Sequence, residues 1–276
     1  MPFSVNTNIG SMVALESLTK TTHDLSMTQK RIATGYRVAD AQDDGAAYAV
    51  AERVRGDIAA TASANDQLGN AQGMIAVTNS ALNNVDSTLS DLKALTVKLA
   101  DGTLTTSQRT QYQAQAKELT NNINSFIKNA SYNGINILND PATTANNIVQ
   151  DGSGTVYTIN GYAAATNIYN TVSDANTYTA GDAAAALTAT GAVTTAIDNA
   201  LSQLNQFGSY AKYVGAQISF NNSIMDAQNT GLGALVDADM AKESANLQAL
   251  QIRQQLGTQA LSIANQAPQS LLSLFR

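Results

Sequence analysis

Residues 47–99, AYAVAERVRGDIAATASANDQLGNAQGMIAVTNSALNNVDSTLSDLKALTVKL, decide the fold. From Ala47 the apolar or small side chains step by three and four: Ala47, Val50, Val54, then, past polar Asp57 and Thr61, Ala64 and Leu68. The series runs on through Ala71, Ile75, Thr78, Leu82, Val85, Leu89, Leu92, Thr96 and Leu99. Such a spacing puts every member on one helical face, and about seven heptads of it predict one long helix packed on partner helices. Asp101-Gly102 stops it, and Thr106 or Ser107 can cap a second helix with the seam Tyr112, Ala116, Leu119, Ile123, Phe126 and Ala130.

Working outward, the three prolines fall at Pro2, Pro141 and Pro268. A proline inside a helix costs about 3 kcal/mol, so two proline-free arms read as helical, joined by something different in the middle. The second arm has its own seam: Ile197, Leu201, Leu204, Gly208, Ala211, Gly215, Ile218, Asn222 and Met225. Gly208 and Gly215 would let a neighbouring helix approach closely. Between Lys128 and Lys212 there is no Lys or Arg. Short runs such as Thr-Val-Tyr-Thr-Ile, punctuated by Asp151-Gly152 and Asn160-Gly161, read as strands and tight turns, with a further turn at Asn133-Gly134. The expected fold is mainly α: a long antiparallel, coiled-coil-like helical bundle built from both chain ends, with a small β-rich insertion.

The ends carry a different pattern. Leu18, Leu25 and Ile32 lie seven apart, flanked by Met12 and Leu15. Near the C-terminus one stripe is Ala245, Ala249, Ile252, Leu256, Ala260 and Ile263; a second, on nearly the opposite face, is Val236, Met240, Leu247, Leu250 and Leu261. One partner helix cannot cover both. Leaving the second stripe wet forgoes about 1.5–3 kcal/mol per side chain, so it needs other copies of the chain, with the ends folding as those copies dock. Gly231-Leu-Gly233 marks a bend, or hinge, between bundle and C-terminal arm.

Composition narrows the function. Of 276 residues, 44% are apolar and only 13% charged, about half the usual share. With no Cys and one His, a zinc finger, iron–sulfur cluster or disulfide scaffold is excluded. A net charge of −6 and a pI near 4.6 argue against nucleic acid. No run of 18 apolar residues could span a membrane, and residues 1–20 lack the basic start and apolar block of a cleaved secretory signal. The C-terminal arm carries only Lys242, Arg253 and Arg276, too few for a membrane-surface helix.

No catalytic, metal or cofactor constellation emerges. His23 stands among Thr residues and Asp24 with no nucleophile or further ligand, and reads as a helix-surface residue. Asp40, Asp43 and Asp44 lack calcium-loop spacing and read as a turn or helix start. Gly152-Ser-Gly154 is a hairpin turn rather than a phosphate loop.

Both ends resemble bacterial flagellins. The N-terminal signature is Ser4-Val-Asn-Thr-Asn-Ile9, Arg31-Ile-Ala-Thr-Gly35-Tyr-Arg37-Val and Ala41-Gln-Asp43-Asp44. The C-terminal one is Asp237-Ala-Asp239, Gln251-Ile-Arg-Gln-Gln255 and Ala264-Asn265-Gln266-Ala-Pro268-Gln269. The short middle is similar to alphaproteobacterial members. Gly45 preceding Ala46, Ala47 at the usual Gly position, Arg253 at a commonly apolar one and Ile263 at a common Gln depart from the pattern.

The resemblance implies an extracellular structural subunit of the swimming filament, not an enzyme. It implies a homo-oligomer, a helical filament of identical or sibling flagellins, reached through the flagellar export apparatus and chaperone, a filament cap and hook-associated junction proteins. It also implies three parts: 1–40 plus 233–276 as the inner tube, 41–140 plus 193–232 as a helical rod, and 141–192 as an outer, variable insertion. The expected self-assembly residues are Leu18, Leu25, Ile32, Val236, Met240, Leu247, Leu250, Ile252, Leu256, Leu261 and Ile263. A hook–filament junction protein is the alternative, though such proteins usually have a larger outer part. Over Leu89–Lys98, a segment similar to one an animal Toll-like receptor reads, Asp91 and Ala94 stand where that pattern has Arg and Glu, which implies weak signalling.

Overall fold

The computed structural model describes residues 7–140 and 145–274, with side chains to residue 266. Signature residues 4–6, Pro2 and Pro141 lie outside the described residues, as do the side chains of Pro268 and Gln269. Among the described residues seven α-helices and two strands follow in order: α1 Ile9–Thr34, α2 Gly45–Leu99, α3 Thr106–Asn129, β1 Ala145–Val149, β2 Val156–Asn160, α4 Asn170–Val172, α5 Ala180–Ala186, α6 Ala192–Val236 and α7 Met240–Leu274. The chain divides into two compact units, residues 1–56 with 227–276 and residues 57–226.

In the 57–226 unit the α2 seam is the spine of the core. Every seam member from Ala64 to Leu99, Thr78 and Thr96 included, is buried. The two threonines satisfy their hydroxyls within the helix, donating to the carbonyls of Met74 and Leu92, so they sit among leucines without an unpaired group. The expected seam fails only before this point. Ala47 and Val54 are half-buried, Val50 is exposed, and Ala51 is the buried residue there.

Thr105, one residue earlier than expected, caps α3 in a capping box with Gln108. Its inward residues are Ala116, Thr120, Ile123, Ile127 and Ala130, while Phe126 turns to the surface. The α6 seam also differs. Four of the nine expected members, Ile197, Leu204, Ala211 and Ile218, pack on the core and Met225 is half-buried, but their companions are Val193, Ala200, Phe207, Val214 and Asn221 rather than Leu201, Gly208, Gly215 and Asn222. A shift of one residue turns the face by about 100°, and Phe207 and Val214 offer more apolar surface than two glycines. A Cβ at Gly208 or Gly215 would meet nothing within 4 Å, so neither marks a close helix approach.

The middle pairs β1 antiparallel with β2, Ala145 opposite Asn160 and Val149 opposite Val156. Gly154, at φ 83°, supplies the left-handed residue of the connection. Asp151 Oδ1 accepts from the backbone amides of Ser153 and Thr155 at 3.0 Å each. The hairpin's inward residues, Ile148, Tyr157 and Ile159, join the helical core, and the Tyr157 ring stacks on Tyr213 with centroids 4.0 Å apart. The β-rich character stops there. From Ala165 to Ala186 the chain coils through a π turn, a 3-10 turn and the short α4 and α5, because Ile168, Val172, Ala175, Ala183 and Ala186 are buried at helical spacing. Asn133 and Gly134, at φ 50° and 80°, form the expected tight turn.

Candidate self-assembly surface

The 1–56 and 227–276 unit is built on the antiparallel pair α1 and α7. Asn8 caps α1, accepting from the Ser11 amide, and its Nδ2 donates to the Ala264 carbonyl at 2.7 Å. At the other end Gly35, at φ 75°, closes α1, its amide donating to the Arg31 carbonyl at 2.8 Å. The Arg37 amide donates to the Val236 carbonyl at 2.7 Å, and the Ala238 amide to that of Gly35 at 2.9 Å. Val236 is buried with Val38 and Ala51, beside Leu232 and Leu235. This packing keeps Gly231 and Gly233 inside unbroken helix, so the bend falls at residues 237–239 instead. There the Asp239 carboxylate caps α7 through the amides of Ala241 and Lys242.

Along the pair the less exposed residues of α1 include the series Ser11, Ala14, Leu18, Thr21, Leu25, Thr28 and Ile32, with Asp24, Met27, Lys30 and Arg31 half-buried beside it. Those of α7 are Glu243, Leu247, Leu250, Gln254, Gly257, Leu261 and Ala264. Both are unbroken heptad seams, and the contact of Leu18 with Gly257 sets their register. The seam is thin. Small and polar residues fill about half of it, and of its leucines only Leu25 is buried, the others half-buried.

The expected stripes are therefore sorted by the structure, with one reversal. Leu247, Leu250 and Leu261, read from sequence as the stripe in need of other copies, face α1 of the same chain. Left uncovered are Ile252, Leu256 and Ile263 on α7, with Ile9, Met12, Val13 and Leu15 on α1, all 54–69% exposed. Met240 is also exposed, and Val236 is fully covered. Burying the exposed part of those seven side chains is worth about 1–2 kcal/mol each, or roughly 7–14 kcal/mol per chain. That matches the whole stability of an ordinary domain.

Charges sharpen the base of the pair. Lys30 Nζ bonds Asp40 Oδ2 at 2.7 Å and Asp43 Oδ2 at 2.9 Å, and Asp43 also accepts from the Ala39 amide at 2.9 Å. The Lys30 hydrogen bond holds both carboxyls below their usual range, and the same partners raise the lysine. Asp44 caps α2 through the amides of Ala46 and Ala47. The aspartates that superficially suggest calcium are thus a lysine-centred tie and a cap. Among the described residues no group of three His, Cys, Asp or Glu could hold a metal ion, and no helix is long and apolar enough to cross a membrane. His23 is exposed on α1. Sequence reading missed Lys30, Arg31 and Glu243. Arg31 Nη1 meets Glu243 Oε1 at 3.4 Å across more than two hundred residues of chain, a pairing that no local pattern signals.

Two family models match this chain: the bacterial flagellin N-terminal helical region over residues 5–143 and the C-terminal helical region over 190–275. The chain is 36% identical to flagellin FljK of Caulobacter vibrioides, over 99% of its own length and 98% of that protein. It is 35% identical to a flagellin of Brucella melitensis, over 99% of each, and 33% identical to flagellin C of Rhizobium meliloti, again over 99% of each. The crystal structure of Bacillus cereus flagellin aligns at a TM-score of 0.49 and 18% identity, over 56% of this chain and 88% of that one. With its helical ends, small central hairpin and full-length relatives, the chain belongs to the flagellins, the structural proteins that polymerise into the bacterial flagellar filament.

Proposed function

We propose that the α1–α7 pair is the polymerising part of this subunit, and that its uncovered apolar rows are the contacts made with neighbouring copies. The observation that carries this is the pairing itself: each helix spends one face on the other and leaves a second apolar face open. Ile252, Leu256 and Ile263 form the outward row. Leu18, Leu25, Ile32, Leu247, Leu250 and Leu261 hold the pair together, and Val236 fixes it to the start of α2.

In the filament, residues 1–40 with 233–276 form the inner tube, 41–140 with 193–232 the rod, and 141–192 the outer part. The route to the tip runs through the flagellar export apparatus and its chaperone, with addition beneath the cap beyond the junction proteins. Supporting this reading are the family membership and the seven exposed side chains, which a lone chain has no means of covering.

The test is negative-stain electron microscopy of purified full-length protein with short filament seeds. Uniform tubes growing from the seeds are expected, and Leu256→Asp should abolish them while leaving the monomer helical. Growth of normal tubes by that variant would overturn the outward row as an interface. A protein that only capped or bridged seed ends would be a junction protein.

A further inference from the structure

Arg31 and Glu243 form an ion pair that is incomplete within one chain. Arg31 lies in the last turn of α1 and Glu243 in the first turn of α7, each at the helix end that its charge favours. The Glu243 side chain is only 9% exposed, yet the single contact, Nη1 to Oε1, is 3.4 Å, long for a charge-assisted bond. Arg31 Nε and Glu243 Oε2 are both enclosed and meet no hydrogen-bond partner. A buried pair recovers its desolvation only when its remaining donors and acceptors are satisfied. This one lacks an acceptor for Nε and a donor for Oε2.

The pair stands in a groove between the two helices, shared with Asp24, Thr28, Asn246, Ala249 and Arg253; the Asn246 carboxamide of the same chain lines the groove but makes no hydrogen bond to either orphaned atom. The charges of Asp24 and Glu243 balance those of Arg31 and Arg253, so the groove favours a neutral occupant. A side-chain carboxamide is the one neutral group that accepts through its oxygen and donates through its nitrogen from the same planar end. Ala249 belongs both to this groove and to the outward stripe of α7, so the groove opens onto the face assigned above to neighbouring copies. Beside that stripe, at steps of three and four, runs an exposed row of carboxamides: Gln248, Gln251, Gln255 and Gln259.

We propose that the Arg31–Glu243 groove is a polar socket in the subunit interface, filled by a carboxamide from the Gln248–Gln259 row of a second copy. Socket and row are different patches of one chain, so the contact is heterologous and propagates into an open helix rather than closing a dimer. The inference rests on the polymerising role of the α1–α7 pair and adds a determinant of register that a slippery apolar face does not supply.

The test is the critical concentration for seeded elongation of the full-length chain, read by sedimentation, alongside monomer melting. Arg31→Met with Glu243→Leu removes both charges together, so no unpaired charge stays buried and the monomer should melt at the same temperature or higher. The expected critical concentration rises roughly ten-fold, as for one lost charge-assisted hydrogen bond. Replacing the four row glutamines by Ala touches only exposed positions and should give a similar rise, with no further rise when both sets are combined. Arg31→Lys, which keeps the charge but places no donor at Nε, should also raise it and serves if the double variant loses helicity. An unchanged critical concentration in either socket variant, or additive effects of socket and row, would overturn the socket. Failure of the unaltered chain to grow from seeds would instead bring down the polymerising role of the pair, and the socket with it.

Discussion

Leu18 of α1 packs directly over Gly257 of α7, its Cδ1 only 3.2 Å from where a Cβ on residue 257 would stand. The two helices approach closely there because one has no side chain. Gly257→Val adds a branched group at the contact and should destabilise the pair by about 1–3 kcal/mol, read as lost monomer helicity by circular dichroism. Gly208 and Gly215 behave oppositely. Both sit within α6 with open space where a Cβ would go, so Ala at either should raise stability by about 0.5–1 kcal/mol. A lowered melting temperature for those two would restore the close-approach reading.

The two stripes of α7 separate by mutation. Ile252→Asp and Ile263→Asp change exposed positions, and the isolated chain should keep its helicity and melting temperature within about 0.5 kcal/mol, while seeded growth stops. Leu247→Asp and Leu261→Asp put a carboxylate into the seam with α1. They should block growth and also melt the α1–α7 pair in the monomer, a loss of about 2 kcal/mol or more. Equal monomer spectra for both sets would contradict the assignment of faces.

The Lys30 tie makes a pH prediction with a definite sign. The Lys30 hydrogen bond, backed by backbone amides, lowers the Asp40 and Asp43 carboxyls. Their contribution is complete above the unfolded carboxylate value of about 4 and is lost as pH falls through the lower folded values. Lys30 is raised, chiefly by its bond to Asp40, so its contribution is present below about pH 10.4 and is lost as pH rises through the higher folded value. Lys30→Met should lower the melting temperature by a constant amount between about pH 5 and 10, with the difference from the unaltered chain shrinking on either side. A difference that grew toward acid would refute the tie.

Asp91 and Ala94 are both exposed on α2, beside the buried Leu89 and Leu92 of the seam. A receptor surface tuned to Arg and Glu at those places would meet an acid and a methyl group, and like charges face to face cost several kcal/mol. Weak activation of receptor reporter cells is expected, rising at least about ten-fold with Asp91→Arg plus Ala94→Glu. Full activation by the unaltered chain would refute this.

Much of this molecule is legible in its sequence because heptad seams are local. Whether Ala64 through Leu99 share a face depends only on the helical period, and the structure buries every one of those seam members. Likewise Asn133-Gly134 specifies its turn by backbone preference alone. Where two faces compete, periodicity is silent. The α6 seam is read one residue off along half its length because Gly208 and Phe207 differ by a rotation that only the partner helices resolve. On α7 both stripes are apolar, and the register set by Leu18 against Gly257 decides which of them α1 covers. Glu243 was invisible as a partner of Arg31, since an ion pair between distant chain segments forms only once the helices lie side by side. The sequence alone determined the long helices, the hairpin and the family; tertiary packing decided the short helices of the middle and which faces stay open, because burial belongs to pairs of surfaces and not to any one of them.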